Sequence, residues 1–154
     1  MKNLLLICCI VLLGSCSAQR NYVGVINESN GKVGIGTKTP DELLTVKGKI
    51  HTQEVLVDLN GAVAPDYVFE HYYTGTSERA VNYNMLSLNE LETYLKENHH
   101  LPKIPSAEAL ATEGMELKKF TLLLLQKIEE LTLYTIEQQK QIEVLSEKIE
   151  KLEK

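Results

Sequence analysis

Between Leu117 and Leu152 a ladder of alternating four- and three-residue steps links Leu117, Thr121, Leu124, Ile128, Leu131, Thr135, Gln138, Ile142, Leu145, Ile149 and Leu152. A mean spacing of about 3.5 residues keeps one seam of a helix facing a partner, so the pattern predicts a coiled coil. With Ile128 set as a, the a positions are Thr121, Ile128, Thr135, Ile142 and Ile149, and the d positions are Leu124, Leu131, Gln138, Leu145 and Leu152. One helix cannot bury such a stripe in water, and a second copy of the chain is the simplest cover. The stretch from Thr121 to Leu152 would make a rod of about 48 Å at ~1.5 Å per residue.

Upstream the periodicity shortens. Tyr22–Ile26 is a strand-like run, Asn30-Gly31 signals a tight turn, and Lys32–Thr37 returns as a short strand before the Thr39-Pro40-Asp41 turn. Leu43–Val46, Lys49–Thr52 and Glu54–Val57 read as further short β-rich pieces. They are too brief to build a sheet with a face of its own, and are expected to pair with copies in neighbouring chains or to pack around a shared axis. Asp66–Glu70 reads as an aromatic strand and His71–Asn84 as a polar, tyrosine-rich loop. Ser87 with Glu90 three residues on is a capping box, opening a helix to about Asn98 with Leu88, Leu91, Tyr94 and Leu95 on one face. Pro102 and Pro105 interrupt it, Ser106 caps the next helix, Gly114 ends that, and the long helix begins near Met115 or Leu117.

The chain has 154 residues with formal net charge −5, no Trp and only two Phe. Nucleic acid and anionic lipid both demand a basic face, so neither is an expected electrostatic partner. Cys8, Cys9 and Cys16 are the only cysteines, which leaves the body of the chain without a disulfide framework or a thiolate metal site. Lys2 followed by the apolar run Leu4–Leu13 has the form of an export signal, too short to span a bilayer. Leu13-Gly14-Ser15-Cys16 resembles a bacterial lipobox, with cleavage before a lipidated Cys16; Cys16-Ser17-Ala18 before Gln19 is the alternative small-x-small site.

Asn30–Thr37 followed by Leu44-x-Val46-x-Gly48-x-Ile50 resembles the short repeat of exported tail-fibre-like proteins of Gram-negative bacteria. Asp66–Phe69, Leu86-x-Leu88-x-Glu90, Asn98–Ser106 and Leu124–Tyr134 look like their C-terminal coiled-coil module. The resemblance runs from about residue 30 to 145 and rests on the order and spacing of motifs that are individually weak. It implies a trimeric fibre end with a β-rich shaft and a coiled-coil tail, and carries no substrate or receptor. Two departures stand out: Ala64-Pro65 occupies the place where that family often has Trp-Pro, and the chain has room for one repeat rather than a long shaft. The Ser-Lys pair of endosialidase-type self-trimming tails has no counterpart here.

Ile at a with Leu at d favours two strands, whereas the resemblance implies three. Thr121, Thr135 and Gln138 blur the dimer rule, and Leu125, Leu133 and Ile136 widen the apolar face, suiting three helices or packing of the module's other helices onto the rod. A homotrimer is expected, with a dimer as the alternative; Lys148 (g) and Glu153 (e) suit parallel pairing. Glu129-Glu130 is expected on a solvated coiled-coil face.

Catalytic chemistry lacks a template. GKVGIGTKT (Gly31–Thr39) is no phosphate loop, because Thr37 separates Gly36 from Lys38 and Pro40 follows at once; the dinucleotide pattern lacks its third glycine. His99 and His100 are adjacent and point apart, and His51 and His71 are distant in sequence, so no ligand set forms. Ser77, Ser87 and Ser106 have no nucleophile motif, and the last two are better read as caps. Tyr67, Tyr72, Tyr73 and Tyr83 suit packing at a trimer interface better than a sugar- or protein-binding surface. Asn27-Glu28-Ser29 fits a glycosylation sequon of little weight in a bacterial protein.

The expectation is an α+β chain. Residues 1–18 form the signal peptide, 19–64 a β-rich fibre segment, 65–116 a small α+β module and 117–154 a parallel, trimeric coiled coil. The seam residues are Leu124, Ile128, Leu131, Thr135, Gln138, Ile142, Leu145, Ile149 and Leu152. The expected function is a non-enzymatic, exported structural envelope protein, adhesive or fibre-like, in the outer membrane, at the cell surface or in the periplasm, and otherwise secreted. The alternative is a trimerisation module that nucleates or binds another fibre protein. A small enzyme or soluble-ligand protein is the third and weakest reading. No cofactor or metal is expected.

Overall fold

The computed structural model describes residues 25–153. The signal segment, Cys16 and most of the Tyr22–Ile26 run therefore lie outside the described residues. The described residues are α+β, with a three-stranded sheet and four helices, and the chain divides into two units, one up to Val55 and one from Leu56 on.

In the first unit, strand β1 (Ile26–Ser29) turns back into β2 (Lys32–Ile35), and β3 (Leu44–Val46) lies parallel to β2. Asn30 and Gly31 both take positive φ, 52° and 73°, as a two-residue hairpin turn of the primed type requires. Gly36, also at positive φ, lies where a Cβ would stand 2.9 Å from the Lys47 carbonyl oxygen, so the crossover to β3 closes tightly only on glycine. Thr45 donates to Asp41 Oδ1 (2.7 Å) and holds the start of β3; this bond keeps the Asp41 carboxyl below its ordinary pKa. The strands thus pair within one chain, where the sequence suggested pairing with neighbouring copies or packing around a shared axis. The reason is the Asn30-Gly31 turn, which brings β1 and β2 together locally, and the Gly36 approach, which lets β3 return alongside β2. Lys49–Thr52 and Glu54–Val57, expected to be β-rich, form no strand: no backbone ladder reaches them, and Ile50 and Val55 stand exposed.

The second unit is helical: α1 (Tyr67–Thr74), α2 (Leu88–Asn98), α3 (Ala107–Glu113) and α4 (Leu117–Leu152). Ser87 and Ser106 cap α2 and α3, accepting from the Glu90 and Ala109 N–H groups, and Gly114 ends α3. In α2 the box closes fully, since the Ser87 N–H also donates to Glu90 Oε2 (2.8 Å).

The strand expected at Asp66–Glu70 is instead the first turn of α1. Aromatic and β-branched residues in alternation favour a strand only where they line a pleated face. Here Val68 is fully buried against Leu133 and Tyr83, and a helix delivers Val68 to the core while Tyr67 still reaches α4. The Val68 and Glu70 N–H groups donate to the Pro65 and Asp66 carbonyls, and Gly75 closes the helix at φ 83°. The loop expected from His71 accordingly begins only after Thr74.

Candidate self-assembly interface

Around α4 the heptad divides the helix into two faces with different neighbours. The side chains buried by the chain itself are Gln126, Glu129, Leu133 and Tyr134. In the register above they occupy f, b, f and g, the positions that water covers in an ordinary coiled coil. α1 and the Ala80–Met85 loop pack there, around Val68, Tyr83 and Leu133. The Tyr67 and Tyr83 rings are tilted against each other at 5.1 Å, and His71 meets the Tyr83 edge at 5.6 Å.

A polar network stitches this docking. Tyr67 Oη donates to Gln126 Oε1 (2.9 Å), Gln126 Nε2 to Glu130 Oε1 (2.6 Å), Tyr83 Oη to the same oxygen (3.1 Å), and Lys127 Nζ to Glu130 Oε2 (2.6 Å). Burial, and then the Glu130 charge, raise the Tyr83, Tyr67 and Tyr134 hydroxyl pKa values, so all three remain donors throughout the physiological range. Tyr134 Oη reaches the Leu86 carbonyl and so fixes the entry to α2.

Two expectations are corrected here. Glu129-Glu130 is not a solvated face: Glu129 retains 5% exposure, and the Glu130 carboxylate sits inside the network. Glu129 Oε2 is buried without a hydrogen-bond partner, and burial, with Asp66 and Glu130 nearby, raises its pKa. Tyr67 and Tyr83 belong to the core of their own chain rather than to an interface between copies; Tyr72 and Tyr73 stack edge-on with each other at 5.0 Å, with Tyr73 outermost. Charge pattern alone placed the two glutamates in water. Leu133, read from the sequence as widening the apolar face and suiting the module's other helices, lies at f and marks a second buried face that takes the two glutamates with it.

The seam itself is bare. Leu124, Ile128, Leu131, Thr135, Gln138, Ile142, Leu145, Ile149 and Leu152 are all exposed, Ile142 and Leu145 each at 56%. Thr135 bonds back to the Leu131 carbonyl (2.9 Å). From Glu137 to Leu152 every residue is exposed.

The remaining sequence candidates take structural places. His99 is the left-handed C-cap of α2 (φ 58°), and the His100 ring packs edge-on against Tyr94 at 5.9 Å. Ser77 Oγ donates to Glu70 Oε2 (2.6 Å) and accepts from the Arg79 N–H, locking the loop behind α1. Among the described residues no three His, Cys, Asp or Glu side chains cluster as a metal site, and no helix is long and apolar enough to cross a membrane. Compared with family models, curated proteins and solved structures, the chain matches none.

Proposed function

We infer that this chain is a structural piece of a bacterial envelope fibre or stalk, exported and held together by a parallel bundle of its own C-terminal helices. The observation that carries this reading is the division of labour on α4: the small module occupies b, c, f and g positions of the first half, and a and d are left free along the whole helix. Glu137–Leu152 continues α4 past the module with nothing of its own chain packed on it, whereas most helical stability in proteins comes from packing an amphipathic face. Covering Ile142, Leu145, Ile149 and Leu152 with the same residues of another copy supplies that packing, and the polar pair Thr135 and Gln138 fixes the register at some loss of stability.

Three copies are proposed rather than two. Leu125, at e, is 40% exposed beside the seam, and a trimer covers e positions that a dimer leaves in water. The likeness to exported tail-fibre-like proteins points the same way, and with the signal-like leader it supports a place in the envelope, lipid-anchored if Cys16 is acylated. Light scattering or sedimentation on residues 19–154 tests the proposal: a particle of three chains is expected, and a well-folded single chain in dilute solution would remove it. A diacylglyceryl mass on Cys16 distinguishes the anchored from the free form. Stoichiometric co-purification with a longer fibre would shift the role to the alternative, a trimerising module for another protein.

A further inference from the structure

The register of the small sheet sorts its side chains sharply. Ile26 lies opposite Ile35, Ile35 opposite Val46 and Val33 opposite Leu44, and directly opposed residues share a face. One face is therefore aliphatic from edge to edge: Ile26, Val33, Ile35, Leu44 and Val46, with Glu28 at its turn end. The other face is finished by the chain itself. There the Thr37 carbonyl sits so close over Gly34 that a Cβ would collide with it, Asn27 Nδ2 donates to that carbonyl (3.0 Å), and Thr45 is buried on its bond to Asp41. On the aliphatic face Ile26 is 56% and Leu44 58% exposed, while Val33, Ile35 and Val46 are half-buried. Three short strands need a covered apolar face to hold together.

Resting on the seam-driven assembly above, we propose that the cover is the same face of the neighbouring copies, a second self-interface that closes once the helices have brought the copies together. The size of the patch selects this occupant. Five aliphatic side chains bury on the order of 300 Å², against roughly 800 Å² per partner for a stable interface between freely diffusing proteins. The patch is too small to recruit a foreign protein from solution. It suffices for a copy already tethered, because linkage raises the effective concentration to about the millimolar range. Tethering also delivers identical sheets in equal number, so each aliphatic face finds another.

The body of the chain has no cysteine, so a single introduced thiol reports contact between copies directly. In the exported full-length chain under mild oxidation, Leu44→Cys is expected to give inter-chain disulfides in more than half of the copies. Ser29→Cys, on the finished face, should give less than a tenth of that yield. Adding Leu145→Asp to the Leu44→Cys variant should abolish the crosslink. In parallel, amide exchange at Val33–Ile35 should be at least tenfold slower in the assembly than in the Leu145→Asp chain, and Ile35→Glu should erase that difference while light scattering stays that of the assembly. Equal crosslinking from both faces, or a sheet as well protected in the Leu145→Asp chain as in the assembly, overturns this inference and leaves the helical stalk standing. A monomeric wild-type chain overturns both.

Discussion

From Leu117 to Ile136 the long helix buries Gln126, Glu129, Leu133 and Tyr134 against residues of its own chain, whereas from Glu137 to Leu152 every residue is exposed. The a and d residues are exposed in both halves, Leu124 at 41% and Leu131 at 63% beside Ile142 and Leu145 at 56%. What differs is the b, c and f face. In the first half it carries Leu133, Gln126, Glu129 and Glu130, tied to Tyr67 and to Lys127 at the neighbouring g position; in the second it carries solvated Glu and Lys, with Val144 exposed at c. One helix can therefore hold a module on one side and offer an interface on the other without the two competing for residues. The first half is specified mainly from within the chain, and on the reading proposed above the second waits for its copies.

The largest expected effect falls on the bare half. Ile142→Asp or Leu145→Asp places a carboxylate from every copy in one layer of the proposed bundle, and the assembly should dissociate to single chains by light scattering. Helical signal from Glu137–Leu152 should fall with it, because that half of the helix then has no apolar partner to pack its seam. Protection of the Val68 and Leu133 amides should persist, since their partners are all in one chain. A mutant that stays assembled would break the comparison. The converse change is Leu133→Ala, which empties the fully buried f position. It should lower the stability of the docked module by about 3 kcal/mol, within the usual range for a buried leucine, while the mass of the assembly is retained. If Leu133→Ala also dissociates the particle, the two faces are not independent.

Local signals were legible before any coordinates. The limits of α4, the Asn30-Gly31 turn, the caps at Ser87 and Ser106 and the stop at Gly114 each depend on residues within a turn or two of one another. The features that escaped depend on distant partners. Tyr67–Glu70 carries strand-like residues and becomes helix because Leu133 and Tyr83 receive Val68. Glu129 looks solvated beside Glu130 in a charged run, and is buried because α1 lies over it. Ile50 and Val55 have strand character and find no edge to join. The seam was readable because a heptad is local; of the second face only the apolar marker Leu133 was, because its cover comes from some 50 residues upstream, as in the Tyr134 bond to Leu86 (|i−j| of 48).

Two carboxylates sharpen the comparison through opposite pH dependence. Glu129 has a folded pKa above its ordinary 4.5, raised first by burial and then by Asp66 and Glu130. The native module therefore binds a proton that the unfolded chain has already released, and its stability falls as pH rises from 4.5 through the raised value. Glu129→Gln keeps the shape and removes the buried charge. It should stabilise the module at pH 7 by roughly 1–2 kcal/mol and flatten that slope, with the gain vanishing below pH 4.5. Glu90 is the reverse case. The Ser87 N–H and hydroxyl lower its pKa, so the capping box contributes fully above 4.5 and is lost as pH falls through the depressed value. Ser87→Ala should loosen only the first turn of α2, by about 1 kcal/mol for the lost cap, read as faster exchange of the Glu90 and Leu91 amides with the Tyr67 and Leu133 contacts unchanged. Faster exchange spreading to Leu133 would mean that the Leu86–Tyr134 bond couples the α2 cap to the docked face of α4 more strongly than a single hydrogen bond should.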